Sequence, residues 1–231
     1  MTKIFCDIAE LKTIQKFSRK KIVKGFTTNP SLMRKAGAKD YSSYSKKILK
    51  ISRNKPVSLE VFADDIKNMK IQALKINSWG KNVYVKIPVT NSKNKFTGKI
   101  IKELNSQGVK LNITAVYSYT HVKKIYKCVV SKTPIIISIF AGRMSDTGKD
   151  PLPILKKAVQ LARRKKNVKI LWASTREAYN YLQAKKIKCH IITIPPKIID
   201  QISNFGKSHG QLTLDTVRKF LEDSNSSKFK I

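Results

Sequence analysis

Val83-Tyr84-Val85-Lys86-Ile87-Pro88-Val89 is β-branched at four of seven positions and carries one lysine among apolar neighbours. Side chains alternate across a strand, so Val83, Val85 and Ile87 share one face while Tyr84 and Lys86 share the other. Helical patterns bracket the run, Ile66–Trp79 before it and Gly98–Ser106 after it. The same unit recurs outward in both directions. Upstream strands begin near Ile4 (IFCDI), Gly25 (GFTTN) and Val57 (VSLEVF). Downstream strands begin near Lys110 (KLNIT), Ile135 (IIISIF), Lys169 (KILWAS) and Cys189 (CHIITIP). Further helical patterns lie at Ala9–Lys20, Tyr119–Ser131, Ile154–Arg164 and Glu177–Lys185. Strands alternating with helices predict βαβ units and a parallel sheet. Eight strands spaced about 26 residues apart fit a small (β/α)8 TIM barrel of the α/β class better than an open sheet. No GxGxxG follows the first strand, which argues against a dinucleotide fold. Residues 1–212 are read as the barrel, and 213–231 as a C-terminal helix with a frayed tail in the same domain.

Composition agrees with a large-cored domain. The chain has 231 residues, 41% hydrophobic, 27% charged and only 9 glycines, which excludes disorder, collagen and a disulfide-stapled miniprotein. The longest apolar stretch, Pro134–Ala141, falls far short of the ~20 residues that span a bilayer. Asp7 and Glu10 stand where a signal peptide is apolar. Cys6, Cys128 and Cys189 fit neither a disulfide framework nor a zinc ribbon. A soluble cytoplasmic protein with no membrane partner is expected.

Lys and Arg outnumber Asp and Glu by 48 to 14, a formal charge of +34. Such a balance suggests nucleic acid, because basic surfaces gather phosphates by counterion release. Only eight of these residues are arginines, and the lysines spread from Lys3 to Lys230 without forming a dense arm. Solvated lysine faces that attract small anionic substrates are the preferred reading. A nucleic-acid-binding protein on a barrel scaffold stays as the alternative of another class.

Six strands carry a polar group toward the C-terminal end of one face: Asp7 with Phe5, Glu60 with Ser58, Lys86, Asn112 with Thr114, Ser138 with Phe140, and Ser174 with Trp172. A barrel turns such a face inward and upward, to the mouth where these enzymes hold their sites. Lys86 is the sharpest of these residues. Burial among apolar neighbours disfavours the ammonium form, and a neutral amine is what Schiff-base chemistry with a ketone requires. Snorkelling to solvent, or pairing with Glu60 or Asp7, is the structural alternative. His121, His190 and His209 do not cluster, and His190 reads as strand-end filler.

The segments FCDIAEL, GFTTNPSL, VSLEVFA, VYVKIPVT, LNITAVYS, SIFAGRMSD, WASTRE and ITIPPK resemble the transaldolase family. The likeness is greatest to its short form, which groups small transaldolases with fructose-6-phosphate aldolases, and it runs from about Lys3 to Glu222. TTNPS together with VKIP and NIT is its most specific part. The resemblance implies a (β/α)8 barrel, with Lys86 as the Schiff-base lysine and Asp7 as general acid/base. It implies that Glu60 and Thr114 hold a proton-relaying water, and that Asn29 and Asn112, with Ser138 nearby, bind the hydroxyls of a dihydroxyacetone unit. Arg143, Ser174 and Arg176 would grip a phosphate, for which a planar guanidinium fork is suited. Ile8, Ile139 and Pro196 depart from the family's usual Thr, Pro and Tyr, and none of the three is a proposed chemical group.

Transaldolases resemble this chain in having Glu and Phe at the Glu60 and Phe140 positions, where the aldolases tend to have Gln and Tyr. A phenyl ring at Phe140 keeps the enamine dry until an acceptor arrives. The expected reaction is therefore dihydroxyacetone transfer between sugar phosphates, a step of the pentose phosphate pathway. A fructose-6-phosphate aldolase that releases dihydroxyacetone is the nearer alternative. The resemblance implies no metal or organic cofactor, sugar-phosphate partners, and a homo-oligomer of five or ten subunits whose C-terminal helix reaches a neighbour.

Overall fold

The computed structural model describes residues 1–227. Eight parallel strands close into a barrel in sequence order: β1 (Lys3–Asp7), β2 (Val23–Thr27), β3 (Val57–Glu60), β4 (Val83–Pro88), β5 (Leu111–Val116), β6 (Ile135–Ile139), β7 (Val168–Trp172) and β8 (Ile191–Ile194). All eight strands read in the sequence are present. The longer helices between them are α1 (Leu11–Arg19), α2 (Pro30–Lys35), α3 (Tyr41–Ile51), α4 (Ile66–Asn77), α5 (Gly98–Ser106) and α6 (Tyr119–Lys127). They are followed by the short α7 (Ala141–Ser145), then α8 (Leu152–Ala162), α9 (Tyr179–Lys186), α10 (Pro196–Gln201) and α11 (His209–Ser227).

Two hydrophobic layers hold the barrel. The outward residues of each strand, among them Val57, Leu59, Val83, Val85, Ile87, Leu111 and Ile113, are fully buried beneath the helices. A separate inner cluster of Phe5, Ile136, Leu171, Ala173 and Ile191, with Tyr84 and Phe140 packed on it, plugs the barrel axis. Gly25 makes room for that plug, since a Cβ there would lie 2.6 Å from the Phe5 ring. Burying apolar surface is the main stabilising term of such a domain, at roughly 25 cal/mol per Å2.

One strand departs from the sequence reading. Trp172 was expected to share a face with Ser174, yet Trp172 packs outward with the helices while Leu171 and Ala173 point into the barrel. β7 ends at Trp172, and Ser174 has a left-handed φ of 65°, so strand parity does not extend to it. Residues 30–51, where no helix was read, form α2 and α3. Tyr41, Tyr44, Ile48 and Ile51 recur there at helical spacing, but the interleaved serines dilute the signal. The Asp40 side chain caps α3 by accepting from the Ser43 N–H at 2.7 Å. The last helix begins at His209, ahead of the expected Thr213, with the Ser208 hydroxyl accepting from the Gln211 N–H. Gly210 obscured that start, being a poor helix former. Residues 228–231, part of the expected frayed tail, lie outside the described residues.

Candidate active site

The C-terminal ends of the strands surround a cavity of about 240 Å3. Its lining includes Asp7, Asn29, Lys86, Asn112, Thr114, Ser138, Phe140, Arg143, Ser174 and Arg176, ten of the eleven residues singled out in the sequence. The eleventh, Glu60, stands behind the lysine. Barrel register brings the central groups side by side, with Glu60 opposite Lys86 and Lys86 opposite Asn112 on adjacent strands.

Lys86 is 8% exposed and donates to Glu60 Oε2 at 3.0 Å and to the Thr28 carbonyl at 3.1 Å. The pairing alternative is thus realised at the centre of the cavity, and a carboxylate lies within proton-transfer distance of the amine. Glu60 is itself held by Tyr41. The Glu60 N–H donates to the Tyr41 hydroxyl at 2.8 Å, and that hydroxyl donates to the Glu60 carbonyl at 3.0 Å. Tyr41 packs edge-on against Phe62 and Trp79, so a wedge of aromatic rings fixes the end of β3.

Asp7 ends β1 and is half-buried at the cavity wall. Burial pushes its carboxyl above the ordinary range, partly opposed by the Thr27 hydrogen bond and the Lys86 charge. The Thr27 hydroxyl donates to Asp7 Oδ1 at 2.6 Å and also lies 2.6 Å from the Thr193 hydroxyl. A hydroxyl has one proton, so when Thr27 gives its own to Asp7, Thr193 must donate to Thr27. Three strands thereby orient one carboxylate.

On the other side, Ser138 Oγ donates to Asn112 Oδ1 at 2.6 Å, and Asn112 Nδ2 donates to Ser58 Oγ at 2.9 Å. These two bonds occupy one N–H and one lone pair of the amide, leaving its second N–H and second lone pair for a bound group. The Thr114 hydroxyl lines the cavity, buried and without a hydrogen-bond partner among the described residues. Buried polar groups are nearly always satisfied, so an unpaired hydroxyl facing a cavity marks a place for a bound polar group. Asn29 Oδ1 caps α2 by accepting from the Leu32 N–H at 2.9 Å, which turns its amide nitrogen away from the helix.

Two arginines stand at the rim. The Arg143 guanidinium lies 5.2 Å from the centre of the Phe140 ring, and that ring meets Tyr117 edge-on at 5.8 Å. Arg176 Nε donates to Asp146 Oδ1 at 2.9 Å, and Nη2 also bonds that carboxylate. The pair holds the Asp146 carboxyl below the usual range. The Gly142 backbone brings the two arginine-bearing segments together, because a Cβ there would lie 1.6 Å from the Ser174 carbonyl oxygen.

A family model described as Transaldolase/Fructose-6-phosphate aldolase matches residues 4–231. The chain belongs to the transaldolase/fructose-6-phosphate aldolase family. A probable transaldolase of Nitrosopumilus maritimus is 33% identical over 204 residues, covering 87% of this chain and 86% of its own. One from Methanococcus maripaludis is 32% identical over 222 residues, 96% of each chain. Among solved structures, dihydrodipicolinate synthase of Thermotoga maritima superposes with a TM-score of 0.62 at 8% identity, covering 84% of this chain and 70% of its own. That likeness bears on the barrel fold alone.

Four residues of this family member's site were not singled out in the sequence: Tyr41, Thr27, Thr193 and Asp146. Thr193 faces inward by the same alternation that exposed Lys86, lying opposite Phe5 on β1, so parity would have found it. Tyr41 opens α3 and Asp146 caps the end of α7, so neither lies on a strand and alternation says nothing of them. Among the described residues, no three His, Cys, Asp or Glu side chains group as metal ligands. No helix among them is long and apolar enough to cross a membrane.

Proposed function

We propose that the protein is a transaldolase that carries a dihydroxyacetone unit between sugar phosphates on Lys86. Sedoheptulose 7-phosphate and glyceraldehyde 3-phosphate would give erythrose 4-phosphate and fructose 6-phosphate. The observation that carries the reading is the Lys86–Glu60 pair, whose lysine lines a cavity that Asp7 also lines. Glu60 takes a proton from the ammonium, and the freed amine attacks the C2 ketone of the donor sugar. Glu60 then returns its proton to the C2 hydroxyl of the carbinolamine, which leaves as water held by Glu60 and the Thr114 hydroxyl, and the nitrogen lone pair forms a protonated imine that serves as electron sink. Asp7 removes the C4 hydroxyl proton, the C3–C4 bond breaks, and an aldose phosphate departs. The electron pair of that bond becomes the enamine. An acceptor aldehyde then takes up the enamine by the reverse steps.

The remaining groups bind. Asn29 and the Ser138-oriented Asn112 meet the hydroxyls of the three-carbon unit. Arg143 and Arg176 meet the phosphate with Ser174, and the phosphate replaces Asp146 as a partner of Arg176. Phe140 supports transfer over release, because its ring lines the cavity where a hydroxyl would bring water to the enamine.

Borohydride reduction in the presence of fructose 6-phosphate should leave a sugar-derived adduct on the Lys86 peptide, and an unmodified Lys86 would sink the mechanism. Product analysis with and without erythrose 4-phosphate then decides the reaction. Sedoheptulose 7-phosphate formed only with the acceptor supports transfer. Free dihydroxyacetone formed without it makes the protein an aldolase.

A further inference from the structure

The opposite mouth of the barrel, at the N-terminal ends of the strands, holds a second cavity of about 460 Å3, within the range of small-ligand sites. The Phe5–Ile136 plug separates it from the Lys86 cavity. Lys3, Lys24, Lys166 and Lys169 line it, with no acidic residue among the lining. None of the four has a carboxylate or other side-chain partner among the described residues, whereas Lys20, Lys70, Lys86, Lys207 and Lys219 all do. Four unpaired ammonium groups around a concave, low-dielectric wall focus a positive potential that an anion relieves.

A neutral donor lies among these cations. His190 Nδ1 accepts the Ile170 N–H at 3.1 Å, so the neutral ring carries its proton on Nε2. Nε2 has no protein partner among the described residues, and His190 lines the cavity. Burial, Lys169 and Arg163 lower the His190 pKa to about 4, which keeps the ring neutral and this tautomer fixed. The Tyr84 hydroxyl likewise has no protein partner among the described residues, and the Tyr84 ring joins Pro56 and Pro134 in flat apolar walls. Inorganic phosphate would leave most of this volume and all of its apolar floor unused.

We propose that this N-terminal cavity binds a nucleoside polyphosphate, with phosphates against the lysine rim and the His190 Nε2–H, and the planar base against Tyr84 and the two prolines. Titration calorimetry of the whole protein with ATP, tripolyphosphate and adenosine, at near-physiological salt to screen diffuse attraction, tests this. ATP should bind one to one, with tripolyphosphate weaker by about tenfold or more and adenosine undetected. Lys24→Glu with Lys169→Glu should weaken ATP by at least tenfold, since both residues are exposed and their exchange leaves the core intact. His190→Asn keeps an acceptor for Ile170 but removes the Nε2 donor, and should weaken ATP by about tenfold. Arg176→Ala, at the other mouth, should bind ATP as the parent protein does. Unchanged affinity in the double lysine variant, loss of binding in Arg176→Ala, or tripolyphosphate binding as tightly as ATP would each overturn the proposal.

Discussion

Asp7 illustrates at the scale of one residue how function and stability pull apart. The residue is half-buried, and desolvation outweighs the Thr27 bond and the Lys86 charge, so its pKa is raised. The native state therefore holds this proton more tightly than the unfolded chain does. The sign follows from linkage: where the native state binds more protons, stability falls as pH rises. The favourable contribution is complete below the unfolded carboxyl pKa and is lost as pH climbs through the folded one. Asp7→Asn removes the buried charge while its Oδ1 still accepts from Thr27. It should raise the melting temperature by about 2–4 °C, the shift that about 1 kcal/mol produces in a chain of this length. The gain should be larger at about pH 8 than at about pH 3, where the carboxyl is largely protonated in both states. Transfer should fall by about a hundredfold or more, as expected when a positioned acid/base is removed. Thermal melts at both pH values check the first claim and initial rates the second. An Asn variant that melts no higher than the parent at the higher pH would contradict the linkage argument.

Elements bring the arginines to the cavity, and here the close approach of two segments is the controlling contact. Gly142 in α7 lies against the residues after β7, with Ser174 in a left-handed conformation. Gly142→Ala must push that segment away and move Ser174 and Arg176 with it. A displacement of about 1 Å is enough to lower a rate by about a hundredfold when it falls on a binding group. The expected result is a KM for fructose 6-phosphate raised by about tenfold or more. Borohydride trapping of unphosphorylated dihydroxyacetone on Lys86 should be retained, because the lysine end does not depend on this contact. An unchanged KM would show that the segment yields without cost to phosphate binding. The same contact shows where the sequence stopped being legible. The eight strands were readable because each buries an apolar outer face, and Lys86, Asn112 and Ser138 stood out as polar breaks in the inner one. Ser174 belongs to the site, but the alternation assigned to it was wrong, since a left-handed residue resets parity. Asp146 and Tyr41 stand at helix ends, off the strands, and only their positions in space reveal them.

At the scale of the molecule, α11 is a 19-residue helix with no buried residue. Leu214, Val217, Phe220 and Leu221 are between 43% and 66% exposed on it, and the first, second and fourth fall at i, i+3 and i+7 on one face. Most helical stability in proteins comes from packing such a face, so an unpacked one gains by finding a partner. The family resemblance implies that the partner is a neighbouring subunit in a ring. The charge of +34 opposes that assembly, since like-charged subunits repel until salt screens them. Association should therefore strengthen with ionic strength, the reverse of what nucleic-acid binding does. Light scattering should give a mass five or ten times 26.3 kDa at physiological salt and a smaller one at low salt. Val217→Asp with Leu221→Asp should give the single-chain mass at both while leaving the barrel's melting transition in place. A mass of 26.3 kDa for the parent protein at every salt concentration would leave α11 without its neighbour and refute the ring.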